Sequence, residues 1–183
     1  MRLKQCAYFV ILIMLIFPPH TFGFPHYGGR LSAILLGKEP AQIQGYQLMV
    51  YYDPGSLAWD KLSLYFDGGF SHFYVDNIAH YADIQIYSAA PVLRYAFLDT
   101  THITTFLEAS IGLAYLNHTR LKNRNLGIHF AFQDRLGVGA LIGPQKRINI
   151  GLHAVHYSNA HLSSHNSGLT ALLVFDIGYQ FNS

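Results

Sequence analysis

A period of two governs this sequence. In 103–115, Ile103, Thr105, Leu107, Ala109, Ile111, Leu113 and Tyr115 fall on one parity, against Thr104, Phe106, Glu108, Ser110, Gly112 and Ala114. In 62–74, Leu62, Leu64, Phe66, Phe70 and Tyr74 oppose Ser63, Asp67, Gly69 and Ser71. In 171–181, Ala171, Leu173, Phe175, Ile177, Tyr179 and Phe181 oppose Thr170, Asp176, Gly178 and Gln180. Successive side chains of a β-strand point to opposite faces, so such alternation predicts strands with one apolar face. A soluble sandwich would bury that face and cover the other with Lys and Glu. Here the opposite face is small, glycine-rich and sparsely charged, which suits a narrow lumen with the apolar face turned to lipid.

Composition supports the membrane reading. Charged residues make up only 12% of the 183, and Tyr and Phe contribute 13 each. The formal charge of +2 is too balanced for a nucleic-acid binder, so no nucleic-acid partner is expected. A hydrophobic share of 51% with little charge excludes intrinsic disorder. The single cysteine excludes a disulfide framework and a Cys-based zinc site.

At the N-terminus, Arg2 and Lys4 precede an apolar run from Cys6 to Phe17, then Pro18-Pro19 and Thr21-Phe22-Gly23. The run is shorter than the roughly 18–20 residues needed to span a bilayer as a helix. It predicts a cleavable export signal over 1–23, leaving 24–183 as one domain. Cys6 lies before the apolar run, which argues against a lipoprotein anchor.

Candidate strands are 28–37, 43–52, 62–75, 82–97, 103–116, 127–142, 147–158 and 169–181. A spanning strand takes about 9–11 residues, so this length accommodates eight strands and not sixteen. The predicted fold is all-β: an eight-stranded antiparallel up-and-down transmembrane β-barrel, filled by side chains rather than open. The expected location is the bacterial outer membrane, with both termini periplasmic. Glu108, Asp67, Arg135 and Asp176 read as lumen charges that pair inside the barrel.

Few segments carry chemistry. His161 and His165 are four apart but lie between two strands with no carboxylate nearby, so they read as loop residues rather than metal ligands. Arg120, Lys122 and Arg124 fall in the extracellular connection between strands five and six, where they either meet lipid phosphates or decorate a loop. His156-Tyr157-Ser158-Asn159-Ala160-His161-Leu162 ends the seventh strand. Residues i and i+2 of a strand share a face with Cα atoms roughly 6.5–7 Å apart. His156 can therefore accept the Ser158 hydroxyl proton, the minimal nucleophile–base pair of acyl transfer. Asn159 could offer its amide to a tetrahedral oxyanion. The pair shares parity with Ile148, Ile150, Leu152 and Ala154, on the lipid side. A Ser–His pair at the outer rim facing lipid implies a lipid substrate in the outer leaflet.

At these residues the sequence resembles the lipid A 3-O-deacylase family of outer-membrane enzymes. The carrying motifs are Gly112-Leu113-Ala114-Tyr115-Leu116, the run Phe130-Ala131-Phe132-Gln133-Asp134-Arg135-Leu136-Gly137-Val138-Gly139, and His156-Tyr157-Ser158-Asn159-Ala160 followed by Asn166-Ser167-Gly168. The resemblance covers most of 24–183 and implies hydrolysis of the acyl chain ester-linked at position 3 of lipid A. It implies Ser158 as nucleophile, His156 as base and Asn159 as oxyanion helper, with no metal or organic cofactor. The partner it implies is lipid A or lipopolysaccharide in the outer leaflet; a homodimer is left open.

Two positions depart from the family pattern. The acid that orients the histidine falls at Thr170, which cannot carry charge, and a glycine whose amide helps hold the oxyanion falls at His161. Losing the acid weakens catalysis of this kind without abolishing it. Asp134 is an expected substitute: it shares the outward parity of Phe130, Phe132, Leu136 and Val138, and lies opposite His156 if the hairpin turn centres on Gln145. Two other functions compete with deacylation. One is a non-catalytic small outer-membrane barrel. The other is an acyltransferase or phospholipase using the same pair on another lipid.

Overall fold

The computed structural model describes residues 25–76 and 81–182. The expected export segment, 1–23, lies outside the described residues. Eight long strands follow one another: β1 (His26–Glu39), β2 (Gln44–Asp53), β3 (Leu62–Tyr74), β4 (Asp83–Asp99), β5 (Ile103–Leu116), β6 (Phe130–Ile142), β7 (Ile148–Ser158) and β8 (Leu169–Asn182). Each pairs antiparallel with the next, and β1 pairs with β8, so the sheet closes into a barrel. Closure satisfies every ladder within the sheet, which a membrane demands because lipid offers no hydrogen bonds. Among the described residues it also leaves no long strand with an unpaired edge. The sixth strand begins at Phe130 rather than 127, because Gly127 takes a positive φ of 76° in the preceding connection.

The two faces divide as the alternation predicts. On β5, Ile103, Leu107, Ile111, Leu113 and Tyr115 are exposed, whereas Phe106, Glu108, Ser110, Ala114 and Leu116 are buried. Outward aromatics gather at both ends of the barrel. Tyr27, Tyr52, Tyr95, Tyr179 and Phe181 lie at the end where β1 begins and β8 finishes, and Tyr46, Tyr87 and Tyr115 at the other. This is the double girdle of a membrane barrel.

The lumen is packed in layers. Tyr51, Tyr65 and Val92 form a small apolar cluster toward the end where β1 begins. Above it Asp67 binds Arg30 (2.7 Å) and Arg135 (2.5 Å), and Glu108 binds Arg94 (2.7 Å) and the Tyr65 hydroxyl (2.6 Å). Asp176 binds His153 Nδ1 at 2.7 Å and accepts from Ser32. All four expected lumen charges are thus paired inside; buried charges of this kind are tolerated only when so satisfied. Toward the far end a larger apolar cluster closes the barrel, including Phe73, Ile84, Ile86, Leu116, Leu121, Leu126, Val155, Tyr157, Leu169 and Ala171.

One part of the pattern reverses. The alternation places Thr170 with Asp176 on the lumen side and Ala171 on the lipid side. In the structure Ala171 is buried and Thr170 lies on the outward face. The cause is a β-bulge: His153 pairs with Val174 and Val155 with Ala171, so β8 spends one residue more than β7 between these pairs. An inserted residue flips every side chain beyond it.

Candidate active site at the outer rim

β7 positions the first two candidate side chains, His156 and Ser158. Its outward residues Ile148, Ile150 and Leu152 are exposed, and its inward residues Asn149, His153, Val155 and Tyr157 are buried. His156 and Ser158 continue the outward row and are half-buried. The backbone beneath them is fixed from inside. Tyr157 is wholly buried, stacks edge-on against Phe73 and accepts a hydrogen bond from Gln47 Nε2 at 3.2 Å.

Register sets the neighbours of His156. It faces Asp134 on β6 and Thr170 on β8, and Thr170 in turn faces Glu39 at the end of β1. Four polar residues thus form one row across four strands at the rim. Asp134 lies outward and opposite His156 as expected, but no hydrogen bond joins the two. The imidazole turns the other way, and its Nδ1 lies 2.8 Å from Thr170 Oγ1. Thr170 Oγ1 donates to Glu39 Oε2 at 2.8 Å. Asp134 is therefore not the residue bonded to His156; the bulge in β8 delivers Thr170 to that place.

Arg124 secures the other end of this chain. Its Nη2 lies 3.4 Å from Glu39 Oε2, and its Nε donates to the Gly168 carbonyl at 2.9 Å. Of the three basic residues in the β5–β6 connection, Arg124 is thus turned to the site, and Arg120 lies over the Tyr81 ring at 5.5 Å. Lys122 donates its backbone N–H to the Tyr81 carbonyl at 2.8 Å. Gly168, with φ of 50°, packs against the Cε1–Nε2 edge of the His156 ring; a Cβ there would come within 2.8 Å of Cε1. Nε2 itself carries no protein hydrogen bond among the described residues.

Asn159 differs from expectation. It is completely buried, and its amide donates to the Leu126 carbonyl (2.5 Å) and the His165 carbonyl (2.7 Å). Its Oδ1 accepts from the His161 N–H at 2.9 Å, and its own N–H donates to Asn166 Oδ1 at 2.9 Å. Both amide protons are committed, so the side chain builds the loop and has none left for an oxyanion. The expected His161 N–H is likewise occupied. What Asn159 holds is a tight turn closed by the Leu162 N–H on its carbonyl, with Ala160 and His161 at φ of 52° and 63°. Non-glycine residues at positive φ cost of order 1–3 kcal/mol each, and the side-chain bonds of Asn159 offset that strain. His161 and His165 lie in this loop, with His165 Nδ1 3.2 Å from Ser164 Oγ.

Comparison with known proteins places the chain. The family model described as Lipid A 3-O-deacylase (PagL) matches residues 35–180. The chain belongs to that family. A lipid A deacylase PagL of Pseudomonas aeruginosa is 33% identical over 134 residues, which span 71% of this chain and 75% of that protein. The namesake from Bordetella bronchiseptica is 31% identical over 123 residues, spanning 67% of this chain and 65% of the relative. The crystal structure of the outer membrane enzyme PagL superposes with a TM-score of 0.64 at 27% identity, covering 87% of this chain and 99% of that one. Neisserial surface protein A, at 10% identity and a TM-score of 0.51, shares the fold alone.

Proposed function

We propose that this protein is an outer-membrane carboxylic ester hydrolase of the deacylase family, removing the 3-O-linked acyl chain of lipid A, with Ser158 as nucleophile and His156 as general base. The reading rests above all on one observation: Ser158 and a histidine whose Nε2 is free share the lipid-facing side of β7 at the rim. There an acyl ester of the outer leaflet meets the pair without leaving the membrane.

The steps follow from the two groups. Ser158 Oγ attacks the ester carbonyl while its proton passes to His156 Nε2. The tetrahedral oxyanion collapses, the bond to the sugar 3-oxygen breaks, and the imidazolium returns the proton to that oxygen. Water then attacks the acyl-serine by the same route, releasing a fatty acid and restoring both residues. Asn159 serves by shaping the turn after the nucleophile. The oxyanion is left to a backbone N–H of this turn, since the Asn159 amide protons are committed elsewhere.

Mass spectrometry of lipid A after incubation with purified protein tests this, beside Ser158→Ala. Loss of one 3-linked hydroxyacyl chain with wild type only is the expected result. Release of a chain from another position, or its transfer to a second lipid, would instead support the phospholipase or acyltransferase reading. Unchanged lipid A with a folded barrel would support a non-catalytic one.

A further inference from the structure

We propose that Glu39 is the acid of this site and acts on His156 through the Thr170 hydroxyl, a relay carried by the first and last strands of the barrel. The inference deepens the proposed function and uses the same Ser158–His156 pair.

Proton arithmetic carries it. A threonine hydroxyl has one hydrogen to donate and lone pairs to accept. Thr170 spends that hydrogen on Glu39 Oε2, an acceptor whose ionised form Arg124 secures from the other side. Toward His156, Thr170 Oγ1 can then only accept, so Nδ1 must carry the imidazole proton. That leaves the lone pair on Nε2, where a base for Ser158 needs it. A directly bonded carboxylate fixes the tautomer in the same way. Here a neutral hydroxyl transmits the polarity, and Thr170 keeps its proton throughout. When the imidazolium forms, Glu39 supplies the compensating negative charge one residue further back.

The surrounding charges are few. Arg124 from the β5–β6 connection and Lys38 on β1 lie near Glu39, and Asp134 on β6 flanks His156 from the opposite side. Asp134 is the competing source of negative charge, and only Glu39 is linked to the ring by hydrogen bonds. Register makes the link: Thr170 faces His156 on one side and Glu39 on the other, so the three groups stand in adjacent strands along one row.

Glu39 acts as a positioning residue, and its test must separate orientation from mere support. Glu39→Gln keeps an acceptor for Thr170 but removes the charge. It is expected to lower kcat by about 10- to 100-fold with little change in KM, less than the roughly 10⁴-fold loss on disabling a directly bonded acid. The double variant Glu39→Gln/Thr170→Glu places a carboxylate directly on His156 and is expected to recover activity to within about threefold of wild type. Nitrogen-15 spectra of His156 read the tautomer without any substrate: Nδ1–H in wild type, a mixture in Glu39→Gln, and Nδ1–H again in the double variant. Heat-modifiable migration on gels confirms that each barrel is folded. Wild-type kcat and an unchanged tautomer in Glu39→Gln would overturn the relay, as would a tautomer lost in Asp134→Asn instead. If wild type leaves lipid A intact while the spectra shift as expected, the lipid A reading falls and the relay stands.

Discussion

β7 carries two histidines three residues apart on opposite faces, and they are built differently. His153 points into the lumen, is buried, binds Asp176 directly through Nδ1 at 2.7 Å, and meets Gln47 Oε1 with Nε2 at 3.3 Å. His156 points to the rim, binds a threonine through Nδ1, and leaves Nε2 open. Judged by the carboxylate alone, His153 has the stronger dyad. Yet both of its nitrogens face side-chain oxygens, so it holds the barrel together and can take no proton from a nucleophile. A catalytic base is recognised by the nitrogen it leaves free, and the group behind the other nitrogen comes second.

Substitutions at the two positions should separate activity from stability. His156→Ala is expected to lower kcat by roughly 10⁴- to 10⁶-fold while leaving the unfolding midpoint in denaturant near wild type. His153→Ala should do the reverse. Removing one partner of a buried pair costs about 3–5 kcal/mol, visible as an earlier urea midpoint in lipid vesicles, with kcat of the folded fraction preserved. Equal losses of activity in both variants would break the comparison.

Smaller changes sharpen it. Gly168→Ala puts a methyl against the His156 ring at a backbone position that already has positive φ. Tilting the imidazole away from Ser158 is expected to cost about tenfold in kcat, read by steady-state release of fatty acid. Asp134→Asn should change kcat by no more than about threefold, since an exposed charge without a hydrogen bond to the ring acts only through solvent. A drop of a hundredfold there would return the acid's role to Asp134.

Much of the fold was legible because alternation is a local signal. Ile103 to Tyr115 sort correctly by parity alone, and the four lumen acids and bases follow from lying on the sparse face. The pairing of His156 with Asp134 was also readable, since a hairpin centred on Gln145 fixes it by counting. Parity alone turns Thr170 inward, because an inserted residue near Leu172 leaves no mark in an already apolar run; the family resemblance puts it at the position that orients His156, and it lies there at 2.8 Å from Nδ1. Asn159 looked like a free amide because its acceptors, Leu126 and His165, belong to a different loop and a later part of its own. Glu39 could not be seen at all. It lies 131 residues from Thr170, and only barrel closure makes them neighbours.

That closure has a consequence for when the enzyme can work. The row from His156 to Glu39 crosses the seam where the first strand meets the last, while Ser158 and His156 lie together on one strand from the outset. A chain with its sheet still open holds the proposed nucleophile and base together but lacks the far end of the row. On the proposed mechanism, the relay is complete only once the ladder between β1 and β8 has formed.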